Sequence, residues 1–503
     1  MRKLVAAMAV MGCFVLFPVQ NIYAQTSQTG QIEMADTATH ERIVNISDQK
    51  SDVGIPAGEI IEAENHSGDP APWSVIPFVL LLAMIATGPL FYAHFWHKNY
   101  PKVAALLGFL VVVYYLFILN DVHHPLHSLQ EYVSFIALLT ALFVASGGIM
   151  IKVDKAGTPM VNIMLLLFGA AIANVIGTTG ASMLLIRPFL KLNKERIKPF
   201  HIVFFIFIIS NVGGSLTPIG DPPLFLGYLQ GVPFFWTIQH LFAKWIFGVG
   251  LLVLIYYFLD KRSLAKDEPD ENQREYSGKI QIQGVKNMLF LLVTIIAVFL
   301  DPGIFSWVPG FNWEGIDFSY VREAIMFVAA FFAFRVSSKE ALNYNDFNFE
   351  PIKEVAYLFL GIFATMMPAL QLIGEFANSG AGQQMVNVHS LFFSTGVLSS
   401  VLDNAPTYLN FLAAGMGKEH LDYATQAHVF ATNFSTELAA ISIGAVFFGA
   451  MTYIGNAPNF MVKSIAEQAD IKMPSFVGYI IRYSIPFLLP VLVLTWLVFW
   501  VLF

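Results

Sequence analysis

The chain has 503 residues, of which 56% are hydrophobic and only 13% charged, and its net charge is −7. Soluble globular chains carry about 25% charged residues, so the solvent for most of this chain is the bilayer, and the negative balance argues against nucleic acid as a partner. A single cysteine, Cys13, excludes an intramolecular disulfide and a cysteine metal site.

Residues 1–24 begin with Arg2 and Lys3, continue through an apolar run and reach Tyr23-Ala24-Gln25. This is the pattern of a signal peptide cleaved after Ala24, with an uncleaved anchor or a lipoprotein signal at Cys13 as alternatives. Residues 25–72 are polar and acidic, too poor in apolar side chains to bury a core, and are expected to form a disordered periplasmic tail.

From Trp73 onward, apolar segments of membrane-spanning length recur between short polar breaks. Full spans are expected near 73–95, 102–119, 131–150, 234–259, 286–300, 323–336, 355–373 and 476–503. Counting crossings from outside, the cytoplasmic loops hold 19 Lys and Arg and the periplasmic connections hold three, Lys244, Arg322 and Lys418. That asymmetry obeys the positive-inside rule and implies a bacterial inner-membrane protein with both mature termini in the periplasm. His123, His124 and His127 fall in an expected periplasmic loop, since Pro125 should prevent a helix that would gather them.

Residues 158–190 have a polar centre, Gly177-Thr178-Thr179, and basic residues at both ends. The stretch is too short for two crossings, so it reads as a re-entrant hairpin. Residues 384–416 repeat the arrangement around Asp403-Asn404-Ala405, with both ends outside. Each hairpin precedes a broken helix, 199–231 and 426–463. The first break reads Gly214-Ser215-Leu216-Thr217-Pro218-Ile219-Gly220-Asp221-Pro222-Pro223; the second reads Gly449-Ala450-Met451-Thr452-Tyr453-Ile454-Gly455-Asn456-Ala457-Pro458. At a constant offset of 235, Gly, Thr, Ile, Gly and the last Pro coincide and Asp221 faces Asn456. The expected fold is therefore an all-α polytopic membrane protein built as an inverted repeat, 73–260 and 288–503, around a cytoplasmic linker at 261–287. Each repeat contains one re-entrant hairpin and one broken transmembrane helix. Such breaks expose backbone groups and half-helix ends at membrane depth, where transporters bind their substrates.

At these residues the chain resembles the ion-transporter superfamily of NhaD-type sodium/proton antiporters, citrate and dicarboxylate transporters, and arsenite permeases. The resemblance covers most of the chain from Trp73 and rests on the paired breaks and hairpin tips. It implies a secondary transporter and a homodimer. Dicarboxylate carriers of the superfamily typically show Ser-Asn-Thr at both tips, which this chain lacks, so the resemblance favours the antiporter branch.

Ionisable groups at bilayer depth are costly, which makes Asp221 and Asp403 the candidate cation- and proton-binding carboxylates. Thr178, Thr179, Thr217, Asn404, Thr452 and Asn456 are candidate oxygen ligands for sodium. Gly214, Pro218, Gly220, Pro222, Pro223, Gly455 and Pro458 would shape the exposed backbone. The bland alternatives are that Asp221 forms a turn and that Asp403 caps a helix; Asn174 and Asn211 would then only satisfy freed backbone groups. The expected activity is sodium or lithium exchange for protons, with no cofactor, no transition metal, no enzyme activity, and small ions and lipid as partners. A sodium- or proton-coupled citrate symporter is the first alternative and an intramembrane enzyme or sensor the second. No P-loop, GxSxG or HExxH pattern occurs to support ATP-driven or common hydrolytic chemistry.

Overall fold

Long apolar runs become helices because a backbone in hydrocarbon must satisfy its own amides. The computed structural model describes residues 69–265, 278–302, 305, 307–313, 316–423 and 425–502. The expected signal peptide and nearly all of the expected tail lie outside the described residues. From Trp73 the chain folds as one unit. It opens with α1 (Ile76–Phe91), α2 (Ala93–Phe117) and α3 (His123–Gly147). Next come α4 (Pro159–Leu192), the short pair α5 (Pro199–Ile208) and α6 (Pro222–Leu229), and α7 (Trp236–Leu264). The protein is an all-α polytopic membrane protein: seven described helices are long and apolar enough to cross a bilayer, eight if one bent pair counts as a span.

The second part contains α8 (Val285–Val298), α9 (Val321–Val336), α10 (Lys339–Tyr344) and α11 (Glu350–Asn378). It continues with α12 (Gly380–Met385), α13 (Val388–Val401), α14 (Asn404–Lys418) and α15 (Ala427–Asn433). It ends with α16 (Ser435–Phe448), α17 (Ala457–Gln468) and α18 (Phe476–Leu502). Two small antiparallel ribbons interrupt the helices. β1 (Met150–Val153) pairs with β2 (Ile280–Gln283), so part of the expected linker is tied to the end of α3. β3 (Phe311–Trp313) pairs with β4 (Ile316–Phe318).

Three features differ from the sequence expectations. The helix expected from residue 131 starts at His123, so the three histidines are helical; Pro125 stands in the first turn, where no amide needs an intrahelical partner. The rings of His123 and His127 stack one turn apart, 6.4 Å between centroids. The spans expected at 286–300 and 323–336 form helices of only 14 and 16 residues, short of the roughly 20 needed for a perpendicular crossing. The second broken helix has an additional bend of 105° between α15 and α16.

α4 doubles back at Gly177, whose φ of 76° and ψ of 155° only glycine adopts readily. Its two ends meet: Asn162 and Asn193 exchange amide hydrogen bonds at 2.8 Å. α13 and α14 make the other hairpin, turning at Leu402-Asp403, and its base is closed by Gln383 Nε2 donating to the Lys418 carbonyl at 2.5 Å. α5 and α16 form the centre of the bundle, with His201–Ile208 and Leu438–Phe448 entirely buried. Phe242, Ile246, Leu254, Phe258, Phe331 and Phe332 are exposed on α7 and α9, the surface that lipid tails cover.

Candidate functional site

Both broken helices stop and restart in the same way. After a 3-10 turn the chain runs without helix until Pro222 in the first break and Ala457 in the second, positions separated by 235 residues. Prolines occupy the first turn of each new helix, where a missing amide costs nothing. Asp221 and Asn456 are the N-cap residues, both extended, at φ −143° and φ −154°. The glycines permit a close fold. A Cβ on Gly220 would stand 2.1 Å from the Gly214 carbonyl oxygen, and one on Gly455 would stand 2.6 Å from the Gly449 oxygen.

Asp221 is 1% exposed and lies where both hairpins and both breaks converge. Its Oδ1 accepts from Thr178 Oγ1 at 2.7 Å and from Asn456 Nδ2 at 2.9 Å; its Oδ2 accepts from Asn404 Nδ2 at 2.6 Å. The Thr178 amide also donates to the Gly220 carbonyl at 2.8 Å, pinning the first tip to the first break. The donors are neutral. Hydroxyl and amide groups can hold either a carboxylate or a carboxylic acid, whereas a fixed cation would lock the carboxylate form.

Asp403 has a different place from Asp221. It is half-buried, and its carboxylate caps α14 by accepting from the Ala405 amide at 3.1 Å. It is near enough to act on the charge of Asp221, but its neighbour Asn404 makes the hydrogen bond. Thr217 and Thr452 are equivalent staples: each hydroxyl donates to a hairpin carbonyl, Asn174 at 2.6 Å and Ser400 at 2.5 Å. Thr179 is half-buried beside Thr178. Pro218, Pro223 and Pro458 are buried within the breaks.

Asparagines satisfy the freed backbone. Asn174 donates to the Ala170 and Gly213 carbonyls and accepts from the Leu216 amide, at 2.7 to 2.9 Å. Asn459, unnoticed in the sequence, donates to the Gly449 and Thr452 carbonyls and accepts from Asn211 Nδ2 at 2.7 Å. Its signal was available: it is a polar residue directly after Pro458 in an otherwise apolar run. Asn211 Oδ1 and Asn404 Oδ1 are buried without a hydrogen-bond partner among the described protein groups. A Cβ on Gly449 would lie 3.1 Å from Asn211 Oδ1 and 3.4 Å from Asn404 Nδ2, so the two amides flank one point beside Asp221. Buried acceptor oxygens without donors are groups that a cation or a water would satisfy.

Three other buried polar clusters were not apparent in the sequence. Asp260, fully buried near the end of α7, accepts from Arg196, from Asn162 at 2.9 Å and is 3.0 Å from His201 Nε2. It clamps the base of the first hairpin. Arg322 pairs with Glu323 at 2.8 Å and Asp301 at 3.2 Å, and donates to Ser134 at 3.1 Å. Glu131, 7% exposed, accepts from the amide of Gln230. Among the described residues, no group of three or more His, Cys, Asp or Glu is arranged to hold a metal ion.

The family model described as "Putative citrate transport" (CitMHS_2) matches residues 68–500, nearly the whole membrane part. No curated protein matches the chain significantly. The chain thus belongs to the CitMHS_2 family and is a secondary transporter of the citrate-transporter-like kind.

Proposed function

We propose that the transported and coupling ions are sodium, or lithium, and protons, exchanged at Asp221 in the inner membrane. The observation that carries this reading is the set of three neutral hydrogen bonds from Thr178, Asn404 and Asn456 to one buried carboxylate, drawn from both hairpins and the second break. The positive ends of half-helices favour anions. Here the N-cap position of α6 already carries one, the Asp221 side chain, so the site attracts a cation or a proton. Asn404 Oδ1 and Asn211 Oδ1 add neutral oxygens of the kind a hard cation prefers. A proton and a sodium ion compete for the same carboxylate, and competition at one alternately exposed site is sufficient for antiport. Asp403 modulates the site through its charge and holds Asn404 in place by capping α14.

Citrate symport with sodium or protons is the second reading, favoured by the family description. It requires contacts for a multiply charged anion, and among the described residues the hydrogen-bond donors to Asp221 include no Lys or Arg.

The test is reconstitution in liposomes with an internal pH dye, adding sodium, lithium, potassium or citrate outside. Antiport predicts proton movement with sodium or lithium, abolished in Asp221→Asn and reduced but present in Asp403→Asn. Silence with every cation, together with sodium-dependent uptake of labelled citrate, would overturn antiport in favour of the symporter.

A further inference from the structure

Glu131 is a buried carboxylate that the exchange at Asp221 does not use. It sits in α3, eight residues from the helix start, at the end of the bundle that the charge distribution assigns to the outer face. Gln230, the residue closing α6, donates its amide hydrogen to Glu131 Oε1. α6 therefore has Asp221 at its beginning and the Glu131 contact at its end, about 14 Å apart at 1.5 Å per residue.

Glu131 has no permanent counter-charge among the described residues. His127 Nδ1, one turn away, is 3.7 Å distant, beyond hydrogen-bond range, and pairs with the carboxylate only when its imidazole is protonated. Arg322 is engaged by Glu323 and Asp301, and Ser134, which follows Glu131 by three residues, bonds that pair rather than Glu131. Among the described residues no Lys or Arg pairs with Glu131. His123, His124 and Asp422 surround His127, and Tyr228 of α6 lies beside Arg322. A buried carboxylate without a counter-charge takes a proton.

Two further polar atoms at this place have no partner. Gln230 Oε1 and the Tyr423 hydroxyl are both buried without a hydrogen bond, and Gln230 is 5% exposed. Tyr423 lies in the connection after α14; burial raises its phenol well above the ordinary value, and the Glu131 carboxylate and Tyr408 phenol add to the effect. Tyr408, 1% exposed and one turn after Asn404, packs its hydroxyl against α6, 2.3 Å from where a Cβ on Gly227 would stand. Tyr423 thus neighbours both Glu131 and Tyr408, and the helix of Tyr408 begins at Asn404, a hydrogen-bond partner of Asp221.

We propose that Glu131 is a second proton-binding site, through which protons pass between the outer water and Asp221. When the cation leaves Asp221 outward, the Glu131 carboxyl gives up its proton inward along the phenols, Asp221 becomes neutral, and Glu131 is reprotonated from outside. One proton enters the chain and one leaves it at Asp221, with no other group changed. The transfer route rests on the antiport reading; proton binding by Glu131 does not.

Two measurements separate these claims. Infrared absorption of purified protein, titrated through the neutral range, reports the carbonyl of a protonated carboxyl group, and one component should vanish in Glu131→Gln. Its persistence unchanged in the variant would refute proton binding at Glu131. In liposomes, Glu131→Gln should keep sodium-for-sodium exchange, read with labelled sodium, while sodium-driven proton movement falls on the order of tenfold or more, as for loss of a positioned proton donor. Proton movement at the wild-type rate would refute the route. Where Glu131→Gln does not fold, Tyr423→Phe carries the flux test, slowed proton movement supporting the route and an unchanged rate refuting it. Wild-type protein that moves no protons with any cation would sink antiport alone, and the infrared comparison would still decide on Glu131.

Discussion

Asn174 should contribute about 1.5–4 kcal/mol to stability, mostly through one backbone amide. In Asn174→Ala, the Leu216 amide loses its acceptor at 2.8 Å, and an orphaned buried donor costs about 1–3 kcal/mol. The Gly213 carbonyl keeps a second donor, Trp245 Nε1 at 2.9 Å, so its loss of Asn174 costs about 0.5–1 kcal/mol. The Ala170 carbonyl lies within α4, where helical hydrogen bonding still serves it. Trp245→Phe alone should be mild for the same reason. The double variant leaves the Gly213 carbonyl with neither partner, so its cost should exceed the sum of the singles by about 1 kcal/mol. Equilibrium unfolding in mixed micelles, followed by circular dichroism, measures the full cycle. Additivity within about 0.5 kcal/mol would show that the two side chains do not share that carbonyl and would refute the reasoning.

Asn456→Ala removes a neutral donor from Asp221 and from the Ser210 carbonyl, at 2.9 and 3.1 Å. A hydrogen bond to a charged group is worth about 1.5–3 kcal/mol, so initial transport rates should fall roughly 10- to 100-fold, while a change under twofold would contradict the proposed role. Arg196→Gln leaves Asp260 buried beside His201 without its guanidinium partner, and should destabilise by about 3–5 kcal/mol in the same unfolding assay. Asp121, in the connection before α3, is pushed up by burial but held below its usual value by the combined effect of its bonds to His124, the His124 charge and the His123 amide. A depressed carboxyl stabilises above its unfolded value of about 3.9, and the contribution is lost as pH falls through the folded value. Asp121→Asn should therefore lower the melting temperature at neutral pH, with the gap to wild type closing in acid; a gap that is constant with pH would contradict this assignment.

The chemistry of the breaks was readable because it is local. Thr217-Pro218-Ile219-Gly220-Asp221 and its partner at offset 235 encode stop and restart through proline and glycine, and the helices resume at Pro222 and Ala457. Which of two adjacent tip residues turns toward the carboxylate is not local, and Asn404 rather than Asp403 does so. The helical start at His123 was hidden because a proline permitted in a first turn looks like a breaker. Asp260 and Arg196 are 64 residues apart, and Asn211 and Asn459 are 248 apart. Such pairs are products of tertiary folding, and single-residue pattern carries no trace of them.

Asn211 bonds Asn459, Asn456 bonds both Ser210 and Asp221, and Asn404 bonds Asp221, so amides sew the two breaks to each other and to the second hairpin tip. Prying the halves apart at this seam would strip all these bonds in a place where no lipid can replace them. A transport movement that keeps the seam intact shifts hairpins and breaks as a single cargo-bearing block. In the proposed exchange, the outer helices would then act as its frame, and Asp221 would change sides by travelling rather than by being uncovered.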